Sequence, residues 1–172
     1  FDVQHYPLPD HAMPILERLR DDHPYLSCRD YLTCRMLETK GIGNALMTGC
    51  PTWYDPDFLG REPTLVQEPK NVVFTPAERP EFRDQSIRVL RRVRAVLSSS
   101  RIVVSFHRGW TADEHTTPEQ AGNARILQEA AAAIGLETRD VSGSSEGIEG
   151  YKEFEFHVSY RVHAHYKFLS MR

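Results

Sequence analysis

Four short apolar runs alternate with stretches of helical period over the second half of the chain. The runs are 71–74 (NVVF), 101–106 (RIVVSF), 136–141 (LETRDV) and 154–160 (FEFHVSY). Between them lie an amphipathic segment at 81–97 and another helical segment at 118–134, closed by Gly135. A further helix begins at Val162. In the first of these segments Phe82, Ile87, Leu90, Val93 and Leu97 share one face and the arginines take the other, the pattern of a helix laid on a core. Strands separated by helices at this spacing pair in parallel, because the chain returns through a helical crossover. The expected fold class is therefore α/β, with a doubly wound, Rossmann-like parallel sheet.

The first half reads the same way on a smaller scale. A helix around 14–19 ends at His23-Pro24, since the residue before proline is pushed out of helical geometry. A short strand at 25–28 leads to Asp30, a natural cap for a helix reaching about Lys40. Tyr31, Cys34 and Leu37 share a face of that helix, and Gly41 closes it. "NALMTGCP" follows as a strand and a tight turn broken by Gly49 and Pro51. Residues 51–70 then carry four prolines and no periodicity, the composition of a linker. The expected division is 1–52, a linker at 53–70, and 71–172. Residues 143–150 (GSSEGIEG) are expected to form a mobile loop.

Composition narrows the function classes. The 172 residues carry a formal charge of -3, with no basic stripe of the kind that grips a nucleic-acid backbone. No apolar run approaches the ~20 residues that span a bilayer. Three cysteines without a CxxC spacing read as reduced thiols of a cytoplasmic protein, not as a disulfide frame or zinc site. GxGxxG and GxxxxGK[ST] are both missing, so the usual signals for dinucleotide binding and P-loop phosphate transfer are missing too.

Open parallel sheets bind ligands at the carboxyl ends of their strands. Three such ends carry chemistry: "SCRD" with Arg29 and Asp30, "SFHRGW" with His107 and Arg108, and "SYRVHAH" with Arg161, His163 and His165. Gly109 would let backbone approach a ligand closely. Arginine suits a carboxylate or phosphate, and histidine moves protons near neutral pH. Together they point to an anionic substrate and acid–base chemistry. Plainer roles stand beside these: Asp30 as a helix cap only, and His107-Arg108 as a cap or as partners of Asp113 or Glu114. His163 and His165, two apart on a helix, point about 200° from each other, so at most one serves a site. HxH alone lacks the further ligands of a metal centre.

Three stretches, in this order, resemble the polysaccharide pyruvyl transferase family. They are "SCRDYLTCRMLETKGIGNALMTGCPTWY", "NVVFTPAER" with "RIVVSFHRG", and "HVSYRVHAHYKFLSMR". The first is similar to an S-x-R-D block followed by T-G-x-P, and the last to a G-x-R-x-H segment. Here Ser159 stands where the family usually has the glycine. The resemblance implies a two-domain architecture of the GT-B type with its site in the interdomain cleft. Because family members are longer at both ends, it also implies that 1–52 is the C-terminal part of a first α/β domain and that 71–172 is a second one cut short. The implied reaction moves the enolpyruvyl group of phosphoenolpyruvate onto a hydroxyl of a saccharide or lipid-linked saccharide, as a ketal, in cell-surface polysaccharide biosynthesis. The matching positions are Arg29 and Arg161 as grips for the anionic donor and His163 as the proton donor. His107 and Arg108 follow as acceptor or phosphate contacts, and Asp30 after them. No metal or other cofactor is implied.

Two other classes fit the same residues. A glycosyltransferase of this architecture would need an acidic grip on a ribose, for which Glu146 or Glu149 could serve. A saccharide-binding domain without turnover would stack sugars on Trp53, Tyr54 or Trp110. The sequence does not specify an oligomeric state.

Overall fold

The structure is a computed structural model that describes residues 6–62 and 65–171. The chain divides into two compact units, Phe1–Tyr54 and Asp55–Arg172. The first contains α1 (Ala12–Asp22), β1 (Leu26–Cys28), α2 (Tyr31–Thr39) and β2 (Ala45–Met47). β1 and β2 pair in parallel, Cys28 opposite Met47. Asp30 caps α2: its Oδ1 accepts from the Thr33 N–H at 2.9 Å and the Thr33 hydroxyl at 3.1 Å. Gly41 closes the helix at a φ of 82°, where a side chain would be strained. The small core is Cys28, Leu37 and Ile42. Tyr31, placed with Cys34 and Leu37 by periodicity, is instead 69 % exposed, because it occupies the first position of the helix, outside that core.

The second unit contains β3 (Asn71–Thr75), α3 (Arg83–Val96), β4 (Arg101–Phe106), α4 (Pro118–Ala132), β5 (Glu137–Asp140), α5 (Ser145–Glu149), β6 (Phe156–Ser159) and α6 (Val162–Ser170). Its four strands are all parallel, in the order β5-β4-β3-β6. The chain builds outward from β3 to β4 and β5, then returns to the other side of β3 to lay down β6. This is α/β architecture with a Rossmann-like sheet, and its strand order reverses at β3.

Alternation along the central strands explains why both faces are covered. Val72, Phe74, Ile102, Val104 and Phe106 face one way and pack on Leu90 of α3 and Leu127 of α4. Val73 and Val103 face the other way and pack on Phe154 and on Ala164 and Phe168 of α6. The segment after Tyr54 belongs to this second face: Phe58 packs on it, and the nearly buried Asp55 carboxylate holds Lys167 of α6 at 2.6 Å.

Three local expectations are corrected. Residues 145–149 form α5, because Ser144 caps it, its Oγ accepting from the Gly147 N–H at 3.1 Å. Gly147 serves packing here, since a Cβ would lie 2.9 Å from the Val141 Cβ. Gly109 likewise makes room for its neighbours: a Cβ would come within 2.8 Å of Ser142 Oγ and 3.0 Å of Asp140 Oδ2. Phe82 is 42 % exposed, because the chain makes a tight 3-10 turn over Pro80–Phe82 and α3 begins after it.

Beneath α6 runs a buried polar chain that strand periodicity alone does not disclose. The Tyr151 hydroxyl lies 2.7 Å from Ser105 Oγ, 2.7 Å from His107 Nε2 and 3.2 Å from Thr75 Oγ1. Thr75 Oγ1 in turn meets His157 Nε2 at 2.9 Å. The His157 ring lies 5.3 Å from that of His165, centroid to centroid. Burial pushes the His107 imidazole down to about 4, and burial together with its histidine neighbours pushes His157 down to about 3. Both are therefore neutral at pH 7 in the folded chain. Below the ordinary imidazole value of 6.5 the unfolded chain takes up protons that the folded chain refuses. Stability is then full above that value and falls as the pH drops towards the folded values. Urea unfolding at about pH 7.5 and about pH 5.5 should show a loss of roughly 1 kcal/mol for His157, and less for the partly exposed His107. A His157→Gln variant should lose its share of that pH dependence.

Candidate functional site

A reversal of strand order opens a crevice at the carboxyl edge of the sheet, because the turns on either side of β3 lead away in different directions. Here the flanking turns are 76–79 after β3, 107–110 after β4 and 160–161 after β6. Pro76, Ala77, Glu78, His107, Arg108 and Arg161 line the crevice, with Gln120 and Asn123 of α4 as its wall.

Each turn is held from below. Asn123, 1 % exposed, donates from Nδ2 to the Ala77 carbonyl at 3.2 Å and the Glu78 carbonyl at 3.1 Å. Its Oδ1 accepts from Arg83 Nε at 2.7 Å. The Ala77 N–H donates to the buried Ser86 hydroxyl at 3.1 Å. The β3 turn is thus fixed by both helices of that face. In the β6 turn, Ser159 Oγ accepts from the Arg161 N–H at 2.8 Å and donates to the Arg161 carbonyl at 3.0 Å. The serine that stands at the usual glycine position therefore ties down the arginine's own backbone.

The charged groups converge on Glu78. Its Oε1 is in contact with Nη1 of Arg161 and lies 3.5 Å from Nε of Arg108. Arg108 also donates to the His115 carbonyl, so its partners are neither Asp113 nor Glu114. Burial lowers the Arg161 guanidinium below its usual value, though an arginine stays charged at any physiological pH. Glu78 carries no recognisable motif in the sequence. A carboxylate directly after a strand that starts "NVVFTPAE" was the one available signal.

The remaining candidates fall as follows. Arg161 is the residue before α6, and His163 is exposed on the first turn of that helix. His165 is half-buried and turned towards His157, so the two histidines point different ways. His107, Arg108 and Arg161 are brought together; His163 stands two residues beyond Arg161. Arg29 and Asp30 belong to the first unit, at the end of β1. There the Ser27 hydroxyl bonds the Thr48 hydroxyl, and the Thr48 N–H donates to the Cys28 carbonyl at 2.9 Å. The S-x-R-D and T-G-x-P turns are therefore neighbours, at the ends of paired strands. Arg29 is exposed, 3.8 Å from Asp30, whose carboxylate caps α2 and sits below its usual value through its bonds to Thr33. The aromatic candidates are largely committed: Trp110 packs edge-on against Phe106 at 5.6 Å, and the Tyr54 hydroxyl donates to the Thr48 carbonyl. Glu149 pairs with Lys152 at 2.5 Å and Lys167 at 3.6 Å.

Among the described residues no cluster of histidine, cysteine, aspartate and glutamate has the geometry to hold a metal ion, and no helix is long and apolar enough to cross a membrane. No curated protein and no solved structure matches the chain. The family model for polysaccharide pyruvyl transferase matches residues 5–166, nearly its whole length. The order of the three motif blocks, two of them at paired strand ends and the last carrying Arg161 into the crevice, agrees with that match. The chain belongs to the polysaccharide pyruvyl transferase family and is a transferase.

Proposed function

We propose that the chain transfers the enolpyruvyl group of phosphoenolpyruvate to a saccharide or lipid-linked saccharide, forming a pyruvate ketal and releasing phosphate. The observation that carries this reading is the pair of guanidiniums, Arg161 and Arg108, converging where the strand order reverses. Two arginines beside the first turn of a nine-residue helix suit a small ligand with two anionic groups. Phosphoenolpyruvate is such a ligand, carrying a carboxylate and a phosphate.

Arg161 takes the donor carboxylate in this reading, and Arg108 with His107 contacts the phosphate or the acceptor. Arg29 is the further grip on the donor carried over from the family motif, with Asp30 holding its turn. The family's GT-B-like arrangement of two domains, and a cytoplasmic site of action, belong to the same reading. The chemical step begins when His163 delivers a proton to the donor's methylene carbon, which becomes a methyl group. The adjacent carbon takes on oxocarbenium character, and a sugar hydroxyl attacks it. Loss of phosphate and attack by a second hydroxyl complete the ketal; one hydroxyl proton restores the histidine and the other leaves with the phosphate. His163 suits the role by place: it is exposed, and it follows Arg161 on the helix turn. His107 and His157 do not suit it, since burial holds both neutral at pH 7.

Two substitutions separate binding from chemistry. Arg161→Ala should raise the donor KM by at least about tenfold, the scale of a lost charge-assisted hydrogen bond, with an unchanged urea midpoint. An unfolded variant would instead mark Arg161 as structural. His163→Ala should leave donor binding near normal and lower kcat by about 10²–10⁴. Near-normal turnover in that variant would remove His163 from the mechanism.

A further inference from the structure

The crevice is already occupied by a carboxylate of the chain itself. Glu78 Oε1 touches Nη1 of Arg161 and stands 3.5 Å from Nε of Arg108, and all three atoms are shielded from solvent. As the side chains stand, the free space among them is about 10 Å³. That is room for about one water, far less than a three-carbon phosphate ester requires. We propose that Glu78 is an internal competitor of the donor carboxylate: it holds Arg161 and Arg108 as a closed pair, and the donor binds by taking its place. This rests on the donor-binding role given above to Arg161.

The exchange is chemically even. A guanidinium that releases the Glu78 carboxylate and takes the donor's exchanges one carboxylate ion-pair partner for another. Two arginines brought together without an anion would be costly to bury and would repel each other, so a resident carboxylate keeps them in place until the donor arrives. The backbone need not move for this. Asn123 and Ser86 anchor the turn through the Ala77 and Glu78 main-chain groups and leave the Glu78 side chain outside the anchor. That side chain is 25 % exposed and has a path to solvent. Two arginines and one glutamate leave the crevice with a net charge of +1, and expelling Glu78 raises it to +2. A ligand bearing both a carboxylate and a second anionic group gains from both changes. Inorganic phosphate, with no carboxylate to seat, gains less. Glu78 therefore sets donor affinity and selectivity together.

The test is calorimetric titration of the whole chain with phosphoenolpyruvate and, separately, with inorganic phosphate, at one low ionic strength. Wild type, Glu78→Gln, Glu78→Asp and Arg161→Ala are compared. Glu78→Gln keeps the shape and removes the charge. It should tighten phosphoenolpyruvate binding by about 2- to 5-fold, the range of a partly exposed ion pair, and tighten phosphate by less. Glu78→Asp, with a shorter reach, should shift the affinity in the same direction by a smaller factor, and it carries the test if the glutamine variant does not fold. Unchanged or weaker phosphoenolpyruvate binding in these variants, with binding still lost in Arg161→Ala, overturns the competitor role and makes Glu78 a positioning residue. Wild-type binding in Arg161→Ala overturns the donor seat itself, and the competitor role with it.

Discussion

The reversal of strand order at β3 is the constraint on which the rest of the site depends. β4 and β6 both pair with β3 in parallel, so three strand ends finish side by side on one edge of the sheet. The chain leaves β3 towards β4 and reaches β6 only after passing through β5. The turns over the two flanks are thus far apart in sequence, 76–79 against 160–161, yet adjacent in space. A glutamate from one and an arginine from the other come into contact because of topology, not because of any local preference. Breaking the β3–β6 pairing would separate them, with every residue of the crevice still present.

Local hydrogen bonds convert this placement into geometry. Asn123 stands near the start of α4, whose own beginning is fixed by a reciprocal capping box between Thr117 and Gln120. From there one buried amide holds two carbonyls of the β3 turn and the Arg83 guanidinium of α3. A buried amide that satisfies all three partners stiffens what it touches, and leaving any of them unpaired would cost about 1–3 kcal/mol. On the opposite flank, Ser159 holds the main chain of Arg161 at both its N–H and its carbonyl. The two turns are therefore rigid at the backbone, and their charged side chains alone meet across the crevice. That combination suits a seat in which one anion replaces another.

Much of this was legible in the sequence, and the reasons are local. The buried strands carry β-branched runs, and Asp30 marks a helix start by the same side-chain bond that exists in isolated helices. Arg29, His107, Arg108 and Arg161 were singled out because a parallel sheet directs attention to its strand ends. Glu78, Asn123 and Tyr151 were not singled out, because their importance lies in partners 30 to 83 residues away, from Glu78 with Arg108 to Glu78 with Arg161. Gly109 was read as backbone freedom, and Gly147 as part of a mobile loop. Each is instead required by a neighbour that only the fold supplies, Ser142 and Val141 respectively. Phe82 was placed inward by period alone, which cannot see that α3 begins only after it.

Four of the second unit's histidines, His107, His157, His163 and His165, divide by environment in a way their spacing does not disclose. His107 and His157 lie at the two ends of a hydrogen-bonded chain through Tyr151 and Thr75, in surroundings dry enough to keep them neutral. A neutral imidazole can accept or orient, but it brings no proton of its own to a carbon such as the donor's methylene. His165 is turned inward onto His157 and stacks beside Phe168 at 6.5 Å, which gives it a packing role. His163 alone of the four is exposed, on the turn that starts with Arg161. The proposed reaction, which protonates a carbon beside a bound dianion, calls for one solvent-exposed histidine and for neighbours whose charge the core forbids. Otherwise the competing cations would pair with the donor and blur where the proton is delivered. The buried chain beneath α6 spends its polar groups on one another and leaves the crevice to Arg108, Arg161 and Glu78.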